Sequence, residues 1–245
     1  MSKKPARSRR ATEVKEAPDM ETTFENNWFT NYNIRQPFYL NDKHKVLYNL
    51  LQSPTTNMVF VDGPAGSMKT YISVYAALEL IKANKYEKLV YIRSVAESAS
   101  KSLGSLPGTS DEKFQPYLMP LIEKVHEICG RGSAHTLIHN NIIEAIPVNF
   151  CRGLTFTSSI VIIDEAQNMT KSELVTILTR FGRNSIYVVV GDVNQSDINQ
   201  SGFKDIAKCF DNTDSILEGI HNVKFENSEI MRSKILRFIC SQLGH

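Results

Sequence analysis

The sequence predicts an α/β fold in which a parallel β-sheet is sandwiched between α-helices. From residue 40 onward, short apolar segments typical of strands alternate with segments whose apolar residues recur at helical spacing. Residues 160–163 form a continuous apolar run, which is typical of a central parallel strand covered on both faces. A glycine-containing segment at 63–70 lies between a predicted strand and a predicted helix. Together these three observations favour a single α/β domain.

The predicted elements alternate along the chain with few interruptions. The stretch 94–115 is polar and contains Gly and Ser, which predicts a long loop with short helical pieces. A capping box at 170–173 predicts a helix start, and Gly182 is placed to end that helix. Strands are expected at 58–62, 89–92, 142–148, 160–163, 186–190 and 223–225, and helices at 41–51, 71–81, 117–128, 174–181, 203–210 and from 228 onward.

The composition is that of a globular protein and excludes several functional classes. The chain has 245 residues, of which 42% are hydrophobic, so it can bury a core without disulfides. Its 28 Lys and Arg against 26 Asp and Glu exclude a wholly electrostatic nucleic-acid binder. No CxxC pair, membrane-length apolar run or secretory signal is present, so we expect reduced thiols and a cytoplasmic location.

The N-terminal segment differs in composition from the rest of the chain. Lysine and arginine crowd its start and apolar residues are scarce, so residues 1–25 are predicted to be a disordered basic tail and 26–245 the domain. The tail could be a basic arm that touches RNA or DNA, or simply a solubilising segment.

The segment 63–70, GPAGSMKT, departs at one position from the phosphate-loop pattern G-x-x-x-x-G-K-[ST]. Backbone amides of such a loop wrap phosphate oxygens, and the following helix adds its positive N-terminal end. Lys69 is expected to reach the β- and γ-phosphates and Thr70 to place its hydroxyl on Mg²⁺. Met68 stands where the pattern has Gly, so we expect weaker nucleotide affinity or slower hydrolysis with the site retained.

Polar residues follow two of the predicted buried strands. Asp164 and Glu165 end the most hydrophobic strand, where Asp164 is a candidate Mg²⁺ ligand and Glu165 a candidate base or water-orienting residue. Asp192 and Gln195 follow the next strand. Gln195 could sense the γ-phosphate or orient water with support from Asp192, although such a cluster is also ordinary turn chemistry.

Four stretches of the chain resemble the PhoH family of ATPases, which are related to superfamily 1 helicases and have a RecA-like core. They are GPAGSMKT, similar to the family's GPAGTGKT; residues 93–121, with Arg93, Lys101, LG, LPG, EK, PY and PL in the family's order; RG at 152–153 followed by IIDEAQN; and LTRFG at 178–182 followed by GDVNQSD. The resemblance extends from about residue 40 to the C-terminus. The second stretch is the most specific, because other phosphate-loop proteins lack it.

The resemblance implies a site that binds ATP and Mg²⁺. It places Asp164 and Glu165 in metal and catalytic roles and Gln195 in a sensor motif, and it offers Arg180 and Arg232 for γ-phosphate contact, within one subunit or in a neighbour. Each arginine could equally be a solvated surface residue. The residues expected to contact the nucleotide are Gly63, Pro64, Ala65, Gly66, Ser67, Met68, Lys69, Thr70 and His44.

His44 is included because it stands near the place where related proteins carry an adenine-reading Gln, which puts base selectivity in doubt. The chain has no room for the nuclease domain of some family members, so it resembles the short form often encoded by phages. The expected setting is therefore a bacterial cell or a phage-infected host.

Three functions remain open from the sequence. The first is an Mg²⁺-dependent ATPase acting on or with RNA or single-stranded DNA. The second is a nucleotide-binding switch or ring-assembly module with little hydrolysis, which Met68 keeps open. The third, phosphoryl transfer to a small molecule, lacks an identifiable acceptor pocket. A homo-oligomer, with a hexameric ring as one form, is expected because a single RecA-like domain has no second lobe to close its cleft.

Overall fold

The computed structural model describes residues 29, 32–37, 40–94 and 110–231 and the isolated positions 235, 238, 239 and 242, with backbone only for 110–117. Strands and helices alternate over most of this part. The strands are β1 (Met58–Asp62), β2 (Lys88–Arg93), β3 (Ile143–Pro147), β4 (Ser159–Asp164), β5 (Ile186–Gly191) and β6 (Ile220–Lys224). The helices are α1 (Asp42–Gln52), α2 (Lys69–Lys82), α3 (Ser110–Cys129), α4 (Ser133–His139), α5 (Lys171–Leu178), α6 (Phe203–Cys209) and α7 (Thr213–Leu217).

The six described strands form one sheet in the order β3-β2-β4-β5-β1-β6, and every pair is parallel. This confirms the predicted α/β fold. The carboxyl ends of all six strands therefore meet at one edge of the sheet. Because β5 lies between β1 and β4, the segments that follow these three strands are neighbours at that edge.

Both faces of the sheet are buried by helices. Ile160 and Ile162 of β4 belong to the core packed by α1, α2, α3 and α4, whereas Val161 and Ile163 belong to the core on the face packed by α5 and α6. This two-sided burial explains why β4 is apolar at every position of its central run. No helix in the described part of the chain combines the length and apolar character that crossing a membrane requires.

The structure confirms most of the predicted elements, corrects the bounds of two of them and adds two helices. Helix α3 begins at Ser110, so 110–115 is helical rather than loop, while 95–109 lies outside the described residues. Two helices, α4 and α7, were not predicted because with 7 and 5 residues they are too short for a periodic pattern. The helix expected from 228 is replaced at its start by a single 3₁₀ turn at Asn227–Glu229.

The prediction that Gly182 ends α5 is also wrong. The capping box at Thr170 and Glu173 is present, but the helix ends at Leu178 with Thr179 as its C-cap. A Cβ on Gly182 would lie 2.2 Å from the carbonyl oxygen of Phe156. Glycine is therefore required at this position by the close approach of two chain segments rather than by helix termination.

Ile162→Ala tests how much stability the sheet draws from β4. Ile162 has no exposed surface and lies between Tyr91 and Val188 of the adjacent strands. Truncation leaves a cavity, so we expect the free energy of unfolding to fall by about 2–5 kcal/mol, measured by urea titration. The control Leu217→Ala removes an equally large side chain that is 80% exposed and should change stability by less than about 0.5 kcal/mol. Equal effects of the two substitutions would contradict this account of the core.

Candidate functional site

The phosphate-loop segment adopts a tight conformation with positive φ at three residues. Gly63, Gly66 and Met68 have φ of 152°, 84° and 61°. A Cβ on Gly63 would lie 2.6 Å from the Cβ of Phe225, so only glycine fits there. Met68 is the N-cap of α2 and occupies the left-handed region that the sequence pattern reserves for glycine. That conformation disfavours a side chain by about 1–2 kcal/mol, and the loop is formed despite it.

Lys69 lies inside this loop. Its Nζ donates hydrogen bonds to the carbonyl oxygens of Gly63, at 2.5 Å, and Pro64, at 2.9 Å. Burial lowers the pKa of Lys69, and the nearby carboxylates, with Asp192 first and Asp164 next, oppose that shift. A desolvated ammonium surrounded by carbonyl oxygens is suited to exchange these neutral partners for a phosphate.

His44 contacts the phosphate loop from the protein interior and does not line the cavity. The side chain is fully buried and its ring lies 5.2 Å from that of Phe225. Its Nδ1 accepts from the backbone N–H of Asn41 at 3.2 Å, and its Nε2 donates to the carbonyl of Ser67 at 2.9 Å. Burial lowers the pKa of His44, which favours the neutral ring. Both ring nitrogens are engaged within the protein, so His44 anchors the loop, and its contact with a nucleotide stays a prediction.

Asp164 brings the acidic strand end into contact with the loop. Its Oδ1 accepts a hydrogen bond from Thr70 Oγ1 at 2.8 Å, and its Oδ2 accepts one from the buried Tyr91 hydroxyl at 2.6 Å. Burial, with the charge of Asp164 next, raises the pKa of Tyr91 well above its ordinary value, so the phenol remains a donor. Tyr91 thereby fixes the carboxylate in place.

The donors at this point fit Mg²⁺. A hydroxyl and a carboxylate in direct contact are hard oxygen ligands, and Mg²⁺ sites in such proteins use one or two of these together with waters and phosphates. Within the described residues no group of three or more His, Cys, Asp or Glu side chains could hold a metal by itself. Thr70 and Asp164 are therefore the residues that would hold the ion, with the nucleotide supplying further oxygens.

Glu165 is held by partners from two directions. Its backbone is left-handed, with φ 54° and ψ 41°. One carboxylate oxygen lies 3.7 Å from Nη2 of Arg93, at the end of β2, and the other accepts from Nε2 of Gln167 at 2.6 Å. The amide oxygen of Gln167 accepts from the backbone N–H of Asp192 at 3.0 Å. The acidic strand end is thus tied to the segment that follows β5.

The segment after β5 completes the site. Asp192 is 5% exposed, and its Oδ1 accepts from the backbone N–H of Asn194 at 3.0 Å, while no described residue bonds its buried Oδ2. An unpaired buried carboxylate oxygen is unfavourable unless a ligand, ion or water meets it. The backbone N–H of Gln195 donates to the carbonyl of Asp192 at 3.1 Å, and Gln195 lines the cavity.

These elements enclose a cavity of about 580 Å³. That volume is in the range of small-molecule and cofactor sites. Its floor is the phosphate loop and the carboxyl ends of β4 and β5, and α3 contributes charged side chains on another side. The other residues that line the cavity are Pro37, Tyr71, Glu123, Lys124, Glu127, Gln167, Val190, Gly191 and Met231.

Of the two candidate arginines, only Arg180 is described, and it does not line the cavity. The carbonyl of Arg180 accepts from the backbone N–H of Phe156 at 3.0 Å, and its Nε donates to the carbonyl of Thr176 at 3.2 Å. Phe156 precedes β4, whereas Asp164 ends it, so Arg180 lies at the opposite edge of the sheet. Arg232 lies outside the described residues.

Sequence reasoning missed the residues that hold the acidic side chains in place. Tyr91 is in a strand recognised only by its apolar character, and Arg93 and Gln167 were seen only as parts of motifs. The pairing of β2 with β4 sets Arg93 beside Asp164 and Tyr91 beside Ile162. A register argument from the two apolar runs could have found both residues, but nothing local in the sequence indicates their partners.

Two groups outside the cavity, a cysteine beside an arginine and two histidines four residues apart, have surroundings that do not favour chemistry. Burial raises the pKa of the Cys151 thiol to about 11, so proximity to Arg152 does not activate it. His135 and His139, spaced like a zinc pair, are both exposed on α4 and belong to no metal-binding group among the described residues.

The chain is similar to known proteins over most of its length. The family model described as PhoH-like protein matches residues 39–243. The PhoH-like protein of Bacillus subtilis (strain 168) is 34% identical over 180 residues, 74% of this chain and 56% of that protein. Protein PhoH of Escherichia coli (strain K12) is 32% identical over 194 residues, 77% of this chain and 53% of that protein. This chain therefore spans only about half the length of these relatives.

Among solved structures, the Pif1 helicase from Candida albicans is similar over 83% of this chain and 43% of its own, with 18% identity and a TM-score of 0.42. The parallel sheet, the phosphate loop after β1 and the acidic residues at the end of β4 make this a RecA-like P-loop NTPase fold with a nucleotide site.

Met68→Gly tests the effect of the one departure in the loop. Glycine has no left-handed penalty and lets the backbone approach a phosphate closely, so we expect the nucleotide dissociation constant to fall about fivefold, or about 1 kcal/mol, in titration calorimetry. The control is Asn184→Gly, which also relieves a positive φ, of 51°, but lies outside the cavity. It should leave the dissociation constant unchanged. An unchanged constant in Met68→Gly, or an equal fall in both variants, would contradict the prediction.

Proposed function

The chain belongs to the PhoH family, and from that premise we propose that it is an Mg²⁺-dependent ATPase that acts on or with RNA or single-stranded DNA. The observation that carries the proposal is the 2.8 Å contact between Thr70 of the phosphate loop and Asp164 of the acidic strand end. It joins a phosphate cradle to a metal-binding carboxylate, which is the pairing that phosphoryl transfer from a nucleotide requires.

Catalysis in this proposal depends on positioning and charge. The loop amides and the N-terminus of α2 bind the phosphates, and the Lys69 ammonium moves from its carbonyl partners to the phosphate oxygens. Mg²⁺, when bound, neutralises charge that develops on the transferred group. Asp164 stays oriented throughout because the Tyr91 hydroxyl holds its second oxygen.

The proposed hydrolysis also needs a residue that orients the attacking water. Glu165 is the candidate, since its carboxylate lines the cavity, and Gln195 lines the cavity from the segment after β5. A carboxylate accepts the proton of a water molecule while an amide binds its oxygen or the γ-phosphate. An acidic residue in this place favours water over a bulkier acceptor.

RNA or single-stranded DNA is proposed as the partner because the family is related to superfamily 1 helicases. The near-neutral overall charge, +2, means that binding would depend on a local surface rather than on net charge.

A second function is supported by the loop itself. Met68, in a left-handed conformation with its half-buried side chain packed against the core, could hold the loop in a form that binds nucleotide but turns it over slowly. The protein would then be a nucleotide-binding switch or ring-assembly module. Tight nucleotide binding with negligible phosphate release, in the presence and absence of polynucleotide, would select this alternative.

Lys69→Ala tests the ATPase proposal. Loss of the ammonium removes charge stabilisation, so we expect phosphate release to fall at least about a hundredfold. Release is measured with and without single-stranded RNA and DNA, and the wild type should be stimulated by at least one of them. The control is Lys85→Ala, an exposed lysine just beyond the end of α2, which should behave as wild type. Equal phosphate release by the wild type and Lys69→Ala would contradict the ATPase proposal.

Assembly into a homo-oligomer, with a hexameric ring as one form, is part of the proposal. Arg180 lies far from the cavity of its own copy, so it can meet a γ-phosphate only in a neighbouring one. If it does, Arg180→Ala and Lys69→Ala proteins, each inactive, should regain activity when mixed, because some interfaces then combine an intact Lys69 with an intact Arg180. Absence of recovery in an exchanging mixture, or a strictly monomeric mass by light scattering with nucleotide, would contradict the shared site.

A further inference from the structure

Gln167 connects two parts of the site that are otherwise separate in the chain. Its side chain is 3% exposed. The amide Nε2 donates to Glu165 at 2.6 Å and the amide Oε1 accepts from the backbone N–H of Asp192 at 3.0 Å. The backbone carbonyl of the same residue accepts from Ser196 Oγ at 3.1 Å. One residue thus spans from the acidic end of β4 to both ends of the 192–196 segment.

The direction of these hydrogen bonds is fixed. A backbone N–H can only donate, so the amide oxygen of Gln167 must face Asp192, and the NH₂ group must face the Glu165 carboxylate. Reversing the amide would set an oxygen against a carboxylate and an NH₂ against an N–H. Gln167 therefore occupies one orientation in which both of its side-chain partners are satisfied.

Glu165 needs contacts from other residues because its own backbone conformation is unfavourable. It lies in the left-handed region, which is unfavourable for a non-glycine residue unless surrounding contacts stabilise it. Arg93 contributes a longer contact of 3.7 Å from a partly exposed side chain, and such pairs contribute little. The shorter, part-buried bond from Gln167 is therefore the stronger restraint on the Glu165 carboxylate.

We propose that Gln167 is a positioning residue that fixes the Glu165 carboxylate and couples it to the 192–196 segment that carries Gln195. This inference rests on the proposed function, since it assigns a role in hydrolysis. A shift of the 192–196 segment, on which Gln195 faces the cavity, moves the N–H of Asp192 and hence the amide that orients Glu165. Gln167 acts through Glu165 and need not touch the nucleotide.

Gln167→Glu tests this inference with little change of shape. The new side chain still offers an oxygen to the N–H of Asp192 but no longer donates to Glu165. We expect kcat for ATP to fall at least tenfold, while the dissociation constant of a non-hydrolysable ATP analogue changes less than threefold. Replacing a residue with a purely structural role would not lower kcat while leaving the dissociation constant of the analogue nearly unchanged. The melting temperature is measured in parallel to confirm that the variant is folded.

Asn168→Asp is the matched control. Asn168, the next residue, makes a similar link to the position just beyond the 192–196 segment: its Nδ2 donates to Asp197 at 2.8 Å and its Oδ1 accepts from the backbone N–H of Asp197 at 2.8 Å. It does not contact Glu165. The substitution sets a carboxylate against another carboxylate, as Gln167→Glu does, but away from the proposed base. We expect kcat to stay within about twofold of wild type.

A double-substitution cycle examines whether Gln167 acts through Glu165. In single-turnover measurements, Gln167→Glu should cause no further loss in a Glu165→Gln background, because the residue it positions is already inactive. Additive losses would overturn the inference, as would an equal loss of kcat in Asn168→Asp or a loss that appears only in binding. If the wild type hydrolyses ATP and any of these contradicting outcomes is found, only the role of Gln167 is refuted. If the wild type does not hydrolyse ATP, both the proposed function and this inference are refuted.

Discussion

A single hydrogen bond, from the Thr70 hydroxyl to the Asp164 carboxylate, joins the two halves of the site. It forms across 94 residues of sequence and depends on the strand order, because β5 must lie between β1 and β4 for the loop and the acidic residues to meet at one edge. A change that displaced β4 along the sheet would separate the phosphate loop from the carboxylate that we propose binds Mg²⁺. The fold and the chemistry are therefore connected at this contact.

Two residues of the cavity have backbone conformations that are unfavourable for their type, as does Ser158 elsewhere in the described chain, with φ 49°. Three of the non-glycine residues with positive φ in the described chain are asparagines, which tolerate that region; Met68 and Glu165, which both line the cavity, do not share this tolerance. Met68 is stabilised by packing against the core, and Glu165 by hydrogen bonding to Gln167. Strain held by surrounding contacts is a common feature of sites that must keep side chains in one orientation.

The sequence was sufficient to predict the parts of the protein that follow local rules. The parallel sheet follows from apolar runs such as 160–163, and the phosphate loop from a motif between a strand and a helix. Contacts between residues far apart in the chain could not be predicted from the sequence. His44, which the sequence placed among the residues expected to contact the nucleotide, is buried beneath the loop, where Asn41 and Ser67 bond both ring nitrogens. Arg180 was not placed by any local signal, since its distance from the cavity is set by where α5 ends.

The supporting roles of Tyr91, Arg93 and Gln167 were not predicted for the same reason. Each acts on a residue that is brought beside it by strand pairing or by a turn, and amino-acid type alone does not identify that partner. Strand register is the information that was lacking, because a shift of one residue would point Tyr91 to the other face of the sheet and away from Asp164.

The most direct measurement of the central claim is the binding of a non-hydrolysable ATP analogue by calorimetry, with and without Mg²⁺, for the wild type and for Asp164→Asn. Mg²⁺ should strengthen binding to the wild type at least tenfold. Asp164→Asn should remove most of this gain while leaving Mg²⁺-free binding nearly unchanged. Binding that is equally strong with and without Mg²⁺, or a gain from Mg²⁺ that Asp164→Asn leaves intact, would contradict the central claim.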